Sequence, residues 1–378
     1  MNDFNKILFV KLGNFSLVND NILLLLKREF GNYEIEVIDV KDIWKEKLTM
    51  SDYIKNLYFF TIEYGKDFLK GNKKIKDAYS WTFGTSYIAA KTNEKIQELV
   101  KDKKYKFTFQ TQALFNAKIS GIPHFIYTDH TTRTNLLYPS INPRQYIRSN
   151  KFIEQEEVII YKDADAIFTC GSLISYSLLN QYHIPENKIL TVYAGSNVTN
   201  EYIPNNTRYK AKNILFVGVD WERKGGPILL KIFEKILQKH PDASLTIIGC
   251  SPKNITLPNC TVVGNIPASK LFTYYNAATI FCLPTLREPF GIVFVEAMHY
   301  KLPIVANNIG CIPDMVIDNF DGFLVNNDVD KYAEKICELL DDPDKCKLFG
   351  ENGYNLAQTK FNWESVGSRI KNEIDKYL

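Results

Sequence analysis

Cys282–Met298 reads CLPTLREPFGIVFVEAM and joins the end of an apolar strand to the start of a helix. Leu283 and Pro284 end the strand, a polar turn carries Glu288, and Gly291 opens the helix. The first four N–H groups of a helix have no intrahelical partner, and the helix dipole adds partial positive charge. A glycine at that point lets a ligand approach the backbone closely. The stretch therefore predicts a binding site for an anion such as a diphosphate.

Two glutamates flank this helix start at a spacing that suits an extended ligand. Glu288 precedes the helix, and Glu296 lies about two turns along it. Both oxygens of a carboxylate accept hydrogen bonds, so each carboxylate can bind vicinal hydroxyls. We expect one carboxylate to lie beside the phosphates and the other to reach further along the same ligand.

Short apolar runs alternate with amphipathic segments on both sides of this stretch, which predicts βαβ units and parallel sheets. The first half contains the candidate strands Lys6–Leu12, Tyr33–Val40, Lys106–Gln110, His124–Asp129, Ala166–Cys170 and Ile189–Tyr193. The second half contains Asn213–Val217, Ser244–Ile248, Thr261–Val263, Thr279–Leu283, Pro303–Asn307 and Gly322–Val325. Helical patterns lie between most of these strands, for example Pro227–Lys239 and Lys331–Leu340.

The length of 378 residues predicts two domains, because single cores stop growing near roughly 250–300 residues. The polar segment Asn200–Lys212 precedes a new strand and marks the boundary. We predict domains at 1–203 and 204–360, each with its own parallel sheet. Ligands of such sheets bind beyond the carboxyl ends of the strands, which would place the site in a cleft between the two sheets.

Composition narrows the function classes. The net charge of +3 provides no strong basic field for a nucleic acid. The first residues lack the apolar core of a signal peptide, and Ile22–Leu26 is far shorter than the roughly 20 residues of a membrane span. Seven scattered cysteines without a C-x-x-C pair predict reduced, buried thiols in a cytoplasmic protein. No D-x-D lies directly at a strand end and His and Cys are not clustered at ligand spacings, so no metal is expected.

The motif E-P-F-G-I-V-F-V-E resembles the E-x7-E signature of retaining GT-B glycosyltransferases, especially the family-four group. The similarity extends over Leu271–Pro284, Leu302–Val316 and Asp321–Val325, with Asp314 where glutamate is usual. In the first half the similarity to the family is weaker, and it rests on the segments KILFV, GIPHFIYTDH, KDADAIFTCGS and ILTVYAG. The resemblance implies an α/β fold of the GT-B type, with two Rossmann-like domains whose parallel sheets face each other across a cleft. It also implies that 361–378 is a helix crossing back onto the first domain.

The resemblance assigns expected roles within the motif. Glu296 would hold the ribose hydroxyls of the nucleotide, and Glu288 would contact the donor sugar. The backbone amides of Phe290, Gly291 and Ile292 would receive diphosphate or sugar oxygens. An acidic surface turn followed by a helix with one buried glutamate is the structural alternative.

A second motif, GVDWERKGG, spans Gly218–Gly226 and follows the strand ILFV. Lys224 lies in its Gly-rich turn, where a cation can neutralise a leaving diphosphate. The family usually places arginine directly after the first glycine. Val219 stands there in this chain, so Arg223 would substitute for that arginine. A solvated basic turn is the alternative.

Three further loops carry weaker signals by the same resemblance. His130, in YTDHTT at the end of a strand, would point into the cleft near the sugar or acceptor, with Asp129 beside it. Gly13, in LGNFS after the first strand, would touch the donor phosphates or the acceptor. Asn265 and Ile266 match the loop that contacts the nucleobase through backbone atoms.

The implied reaction is a metal-independent, retaining transfer of a sugar from a nucleotide diphosphate to a hydroxyl of a glycan, a lipid-linked acceptor or a small molecule. The donor is a co-substrate, and no cofactor is expected. A non-catalytic nucleotide-sugar-binding subunit of the same fold is the main alternative, followed by a phosphorylase or epimerase of that fold. An NAD-dependent oxidoreductase would need G-x-G-x-x-G after a first strand, and KLGNFS and GVDWERKGG both lack it.

Two basic stretches, Lys70–Lys76 and Lys101–Lys106, are rich in lysine, and the first precedes Trp81 and Phe83. Lysines beside aromatic residues either form a solvated face or contact an anionic membrane. We therefore expect a cytoplasmic protein, with peripheral contact at the inner face of a membrane as an open alternative.

Overall fold

The computed structural model describes residues 5–14, 17–198 and 202–378, apart from the side chains of Lys76 and Asn206. The chain forms two compact units, Met1–Tyr193 with Gly367–Leu378, and Ala194–Val366. The domain boundaries predicted at 203/204 and 360/361 stay predictions. Parts of two predicted segments, 15–16 in LGNFS and 200–201 at the boundary, lie outside the described residues.

The first unit contains a parallel sheet in the strand order β2-β1-β3-β4-β5-β6. Its strands are β1 (Lys6–Lys11), β2 (Glu34–Asp39), β3 (Phe107–Thr111), β4 (His124–Thr128), β5 (Ala166–Thr169) and β6 (Ile189–Thr191). Every residue of β3, β4 and β5 is buried, as expected for parallel strands covered on both faces. The strand register pairs Val10 with Ile38 on one side and with Gln110 on the other.

Helices cover this sheet and supply its core contacts. They are α1 (Val18–Glu29), α2 (Val40–Glu46), α3 (Met50–Leu69), α4 (Ala78–Thr82), α5 (Ser86–Val100), α6 (Asn150–Phe152), α7 (Val158–Asp163) and α8 (Ser172–Gln181). A π-helical turn, Ile153–Glu157, joins α6 to α7. In one core cluster, Leu8 and Val10 of β1 pack with Ile96 and Val100 of α5.

The second unit contains a parallel sheet in the order β12-β11-β10-β7-β8-β9. Its strands are β7 (Asn213–Val217), β8 (Ser244–Ile248), β9 (Cys260–Gly264), β10 (Ile280–Leu283), β11 (Ile304–Asn307) and β12 (Gly322–Val325). The chain builds the sheet outward from β7 in one direction, then returns to place β10 on the other side of β7. Adjacent strands that are wound in opposite directions define a topological switch point, which here lies between β7 and β10.

The helices of the second unit follow the same alternation with the strands. They are α9 (Gly226–Lys239), α10 (Leu271–Ala277), α11 (Ile292–His299), α12 (Ile312–Met315), α13 (Val329–Asp341) and α14 (Pro343–Thr359). The last helix, α15 (Trp363–Ile374), begins in the second unit and ends in the first. Within the first unit, Arg369 of α15 donates from Nη1 to the carbonyl oxygen of Val192 at 2.7 Å.

All seven thiols are free, and six of them are buried, Cys260 being half-buried. None of the helices in the described ranges is long and apolar enough to cross a membrane.

One expectation for the basic stretch Lys70–Lys76 is wrong, because Lys73 does not face solvent or a membrane. Its side chain is buried, and its Nζ lies 3.3 Å from the ring centroid of Trp81. The ammonium donates to the carbonyl oxygens of Arg144 at 3.0 Å and Ile147 at 2.8 Å. Burial lowers its pKa to about 8. Lys73 therefore anchors one loop to another.

Candidate functional site

The two sequence motifs of the second unit meet at the switch point of its sheet. β7 leads into Gly218–Gly226, and β10 leads into Pro284–Gly291. Because β7 and β10 are paired neighbours, with Leu215 opposite Phe281, both loops leave the sheet at the same edge. Open parallel sheets bind ligands at this position, outside the carboxyl ends of the strands.

One backbone and one side-chain hydrogen bond hold the two loops together. The N–H of Leu286 donates to the carbonyl oxygen of Arg223 at 2.9 Å, and Nη1 of Arg223 donates to the carbonyl oxygen of Arg287 at 2.8 Å. Gly225 has φ +77°, and a Cβ at this position would overlap the carbonyl oxygen of Pro284. Glycine is therefore required at this position by both the backbone conformation and the close approach of the second loop.

Lys224 and Glu288 form a buried ion pair where the loops meet. Their residues are only 7% and 5% exposed, and Nζ of Lys224 donates to Oε2 of Glu288. Burial lowers the pKa of Lys224, and the neighbouring Arg223 lowers it further, while Glu288 raises it. A buried charge of this kind is tolerated because its partner lies in direct contact. The two loops thus place a cation, which can bind a phosphate, next to a carboxylate, which can bind a hydroxyl.

Gly291 brings Glu288 against the start of α11. It adopts φ +94°, and a Cβ there would lie 2.6 Å from Cδ2 of Phe294 and 2.9 Å from Cγ of Glu288. Its carbonyl oxygen accepts the first-turn hydrogen bond from the N–H of Phe294 at 2.9 Å. Phe290 is buried and Ile292 is half-buried. The helix start predicted from the sequence is therefore present, directly beside the ion pair.

Glu296 lies on α11 with its side chain buried. Its Oε2 accepts a hydrogen bond from the hydroxyl of Tyr275 at 2.9 Å, and the N–H of Asn197 also donates to its carboxyl. Burial raises the pKa of Glu296 to about 7, although both hydrogen bonds and Lys224 act in the opposite direction. The carboxyl group therefore changes charge near neutral pH. Tyr275 was not identified from the sequence, although it lies in Leu271–Pro284, a segment that resembles the family.

The loop that contains Asn265 and Ile266 follows β9 at the same edge of the sheet. The N–H of Gly218 donates to the carbonyl oxygen of Ile248, and the N–H of Gly249 donates to that of Gly264, each at 2.9 Å. These bonds place the loops after β7, β8 and β9 side by side. Asn265 is exposed and Ile266 is half-buried, so their predicted contact with a base stays a prediction.

Asn307 is a supporting residue that sequence reasoning missed. It ends β11, is buried, and donates from Nδ2 to the carbonyl oxygen of Thr285 at 2.7 Å. Its Oδ1 accepts from the N–H of Asn327 and from the hydroxyl of Tyr332, each at 3.0 Å. Asn307 therefore fixes the Thr285–Leu286 peptide, in the loop that carries Glu288. The available signal was a polar residue at the carboxyl end of the apolar strand PIVAN.

Residues 199–356, which contain both motif loops, match the family model described as "Glycosyl transferases group 1". Residues 199–356 are named the group 1 domain here, after the family model that they match. The sequence resemblance to that group is confirmed.

Curated relatives align with part of the chain. A protein of Corynebacterium glutamicum, named GDP-mannose-dependent monoacylated alpha-(1-6)-phosphatidylinositol monomannoside mannosyltransferase, is 30% identical over 165 residues, which cover 40% of this chain and 43% of that relative. The chain spans about half the length of the first curated relatives that it matches.

Solved structures align over nearly the whole chain. The lipopolysaccharide outer core galactosyltransferase WaaB is similar with a TM-score of 0.68 at 14% identity, covering 99% of this chain and 100% of that one. A protein of Anabaena, solved in complex with UDP and glucose, is similar with a TM-score of 0.63 at 13% identity, covering 98% and 99%. At this identity the similarity shows the fold. It confirms the α/β GT-B class with two Rossmann-like domains.

His130 belongs to the first unit, outside the group 1 domain, in the loop after β4. Its Nε2 lies 2.9 Å from Nδ2 of Asn135, which also donates to the carbonyl oxygens of Thr132 at 3.0 Å and Tyr146 at 3.3 Å. Two carbonyl partners identify the amide nitrogen of Asn135, so Nε2 of His130 accepts a hydrogen bond. The neutral ring then carries its proton on Nδ1. Asp129 is half-buried beside it.

Gly13 also belongs to the first unit. It adopts φ +55°, its N–H donates to Oδ1 of Asp39 at 2.9 Å, and its carbonyl oxygen accepts from Nδ2 of Asn19 at 2.8 Å. A Cβ at this position would overlap the side chain of Lys41. The structure thus explains the glycine by local geometry, and its predicted ligand contact stays a prediction.

Acidic, histidine and cysteine side chains do not gather into a metal site within residues 5–14, 17–198 and 202–378. No group of three or more His, Cys, Asp or Glu side chains there is placed to hold a metal ion. The residues gathered at the switch point instead suit an anion and neighbouring hydroxyls.

Proposed function

We propose that this chain is a retaining, metal-independent glycosyltransferase that moves a hexosyl group from a nucleotide diphosphate sugar to a hydroxyl acceptor. The observation that carries the proposal is the buried Lys224–Glu288 pair, which lies at the switch point of the group 1 domain and beside the start of α11. The pair places a cation, which can bind a phosphate, within a few ångströms of a carboxylate, which can bind a sugar hydroxyl. A phosphate joined to a sugar needs both.

In this proposal, Lys224 and the backbone amides of Phe290, Gly291 and Ile292 bind the diphosphate. Positive charge and aligned N–H groups act most strongly on the charge that develops as the diphosphate leaves. Arg223 contributes through its guanidinium, which contacts the second loop at the Arg287 carbonyl and lies 3.4 Å from Asp220.

The two carboxylates recognise the two sugars of the donor. Glu288 contacts the transferred hexose, and Glu296 contacts the ribose hydroxyls. The base lies against the backbone of Asn265 and Ile266. The common edge shared by the loops after β7, β8, β9 and β10 supports this order along one extended ligand.

The proposed chemical step is a displacement on one face of the sugar, which retains the anomeric configuration. The bond from the anomeric carbon to the diphosphate breaks, the bond to the acceptor oxygen forms, and the acceptor's proton moves to the leaving diphosphate. Lys224 and the start of α11 stabilise the negative charge on that diphosphate. For His130 of the first unit, contact with the sugar or the acceptor stays a prediction.

Names of similar proteins support the ligand classes of the proposal. The Anabaena structure contains UDP and glucose, and the Corynebacterium relative is named for a GDP-mannose donor and a phosphatidylinositol mannoside acceptor. We propose a nucleotide diphosphate hexose as donor and a hydroxyl acceptor that is lipid-linked.

A donor-hydrolysis screen tests the proposal. Wild type, Glu288→Ala and the control Asp321→Asn are assayed with UDP-, GDP-, ADP- and TDP-sugars. Asp321 is a buried carboxyl that precedes β12, at the opposite edge of the sheet, so its substitution tests the general effect of losing a buried acid. We expect wild type and control to hydrolyse one donor class and Glu288→Ala to lose about a hundredfold or more in rate.

The outcomes separate the alternatives. Equal turnover by wild type and Glu288→Ala would reject the role of Glu288. Tight nucleotide binding without turnover of any donor would instead favour the non-catalytic nucleotide-sugar-binding subunit.

A further inference from the structure

Helix α3 of the first unit exposes a row of large apolar side chains, while Phe59, Phe60 and Phe68 on its other side are half-buried among aromatic rings. Its buried residues are Asp52, Asn56 and Tyr64. Six large apolar side chains, each between 59% and 91% exposed, repeat at helical spacing and define the α3 stripe: Met50, Ile54, Leu57, Tyr58, Ile62 and Leu69. A surface helix of a globular protein typically has charged or polar residues on the side that faces solvent, so the exposed apolar side of α3 is unusual.

Specific hydrogen bonds fix the inward side of α3. Nδ2 of Asn56 donates to the carbonyl oxygen of Thr82 at 2.8 Å, and Asp52 completes the N-terminal capping box with Thr49. The hydroxyl of Ser149 donates to Oε2 of Glu63 at 2.6 Å. These contacts determine the rotation of α3 about its axis, so the α3 stripe cannot turn into the core. A contiguous exposed apolar patch of this kind marks an interaction surface.

The charges on α3 select the kind of partner. Each acidic side chain of the helix has a partner: Asp52 in the capping box, Glu63 on Ser149, and Asp67, which accepts from Asn72 at 3.0 Å. The exposed charges that border the α3 stripe are the lysines Lys55, Lys66 and Lys70. The outward surface therefore combines apolar side chains with positive charge.

A second copy of the chain fits this surface poorly. In a two-fold symmetric dimer the same patch faces itself, which would bring the lysines of one copy toward those of the other. An anionic lipid surface accepts both features at once, because apolar side chains enter the boundary of the acyl chains while lysines meet the head groups. We propose that the α3 stripe and its three lysines lie on an anionic lipid bilayer.

This surface differs from the two basic stretches that the sequence suggested. Lys73 of the first stretch is buried, and in the second stretch Lys103 is paired with Glu36 at 2.6 Å. The proposal is also independent of glycosyl transfer, because it concerns the first unit and is read out by lipid binding alone.

Vesicle co-sedimentation of the full chain tests the proposal. Vesicles of phosphatidylcholine alone are compared with vesicles that also contain phosphatidylglycerol. The variants are Leu57→Gln with Ile62→Gln, which removes apolar surface, and Lys55→Glu with Lys66→Glu, which reverses charge. The matched control, Lys347→Glu with Leu348→Gln, changes an exposed lysine and leucine on α14.

We expect wild type and control to bind the anionic vesicles. Each α3 variant should lose about tenfold or more in affinity for these vesicles, since each basic residue near a membrane surface changes the affinity by about fivefold. All substituted side chains are exposed, so thermal melting monitored by circular dichroism should be unchanged. Wild-type binding that survives both α3 variants would overturn the proposal, as would loss only in Lys101→Glu with Lys104→Glu. Absence of wild-type binding, together with a dimer in sedimentation velocity that the apolar α3 variant abolishes, would assign the surface to a second copy.

Discussion

Replacing Glu288 by glutamine should destabilise the second unit through the lysine that it leaves behind. The substitution preserves size and hydrogen-bonding capacity but removes the negative charge. Lys224 is 7% exposed, and its pKa is already below the ordinary 10.5 because of burial, with Glu288 acting to raise it. Without that carboxylate, the pKa of Lys224 falls further.

The expected loss in the free energy of unfolding depends on whether the buried lysine stays charged or becomes neutral. An unpaired ammonium at such a site costs about 3–5 kcal/mol. The alternative is to fold with a neutral amine, which costs about 1.4 kcal/mol for each pH unit below the unfolded pKa of 10.5. That cost is about 4 kcal/mol at about pH 7.5 and falls to about 1.4 kcal/mol at about pH 9.5. Over this interval the unfolded chain binds more protons than the folded variant, so the stability of Glu288→Gln rises with pH relative to wild type.

Urea unfolding of the full chain at a series of pH values measures this effect. Circular dichroism and tryptophan fluorescence are followed together, because two units need not unfold in one transition. The control is Lys224→Met with Glu288→Gln, which removes both charges and is expected to lie within about 1 kcal/mol of wild type at every pH. A Glu288→Gln destabilisation that does not change with pH, or a double variant as unstable as the single one, would refute the buried-pair account.

Three further predictions concern the other residues of the two units. Burial raises the pKa of Glu296 from 4.5 to about 7, so the folded chain holds a proton that the unfolded chain releases in this pH range. The free energy of unfolding of wild type should therefore fall by about 3 kcal/mol as the pH rises from about 4.5 to about 7. Glu296→Gln should remove this pH dependence, which is measured as the urea midpoint at a series of pH values. Asn135→Asp should lower the free energy of unfolding by about 1–3 kcal/mol, because a carboxylate cannot donate to the carbonyl oxygens of Thr132 and Tyr146; thermal melting equal to that of wild type would contradict these two hydrogen bonds. Gly225→Ala should cost about 2–3 kcal/mol more in thermal melting than the control Gly121→Ala, since both have φ near +77° but only Gly225 lies against backbone atoms of a second loop. Equal losses in the two alanine variants would show that backbone strain alone matters.

The strands of both sheets could be predicted from the sequence because buried parallel strands are continuous apolar runs. All twelve predicted strands are present. The ends of the strands were predicted less accurately. The run Ile189–Tyr193 predicted a longer strand than β6, which ends at Thr191. Val192 is still buried and its N–H still donates to the carbonyl oxygen of Thr169 at 2.9 Å, so hydrophobicity alone cannot show where the strand ends.

The Lys224–Glu288 pair could not be predicted, although each residue was identified by its own motif. The two residues are 64 positions apart, and their contact depends on β10 lying next to β7. That adjacency is a property of the strand order, which local sequence patterns do not contain. The burial of Lys73 could not be predicted for a related reason. Its ammonium donates to the backbone carbonyl oxygens of Arg144 and Ile147, and a backbone carbonyl has no signature in the sequence.

The buried pair has a consequence for how a donor would bind under the proposed function. If the diphosphate takes Lys224 as its counter-charge, Glu288 loses its partner while remaining 5% exposed. A buried carboxylate without a partner is costly, so the sugar hydroxyls must replace the lysine as hydrogen-bond donors. An intact nucleotide sugar supplies both replacements at once, whereas a free nucleotide diphosphate supplies only the first. The pair therefore favours binding of the intact donor over the released nucleotide.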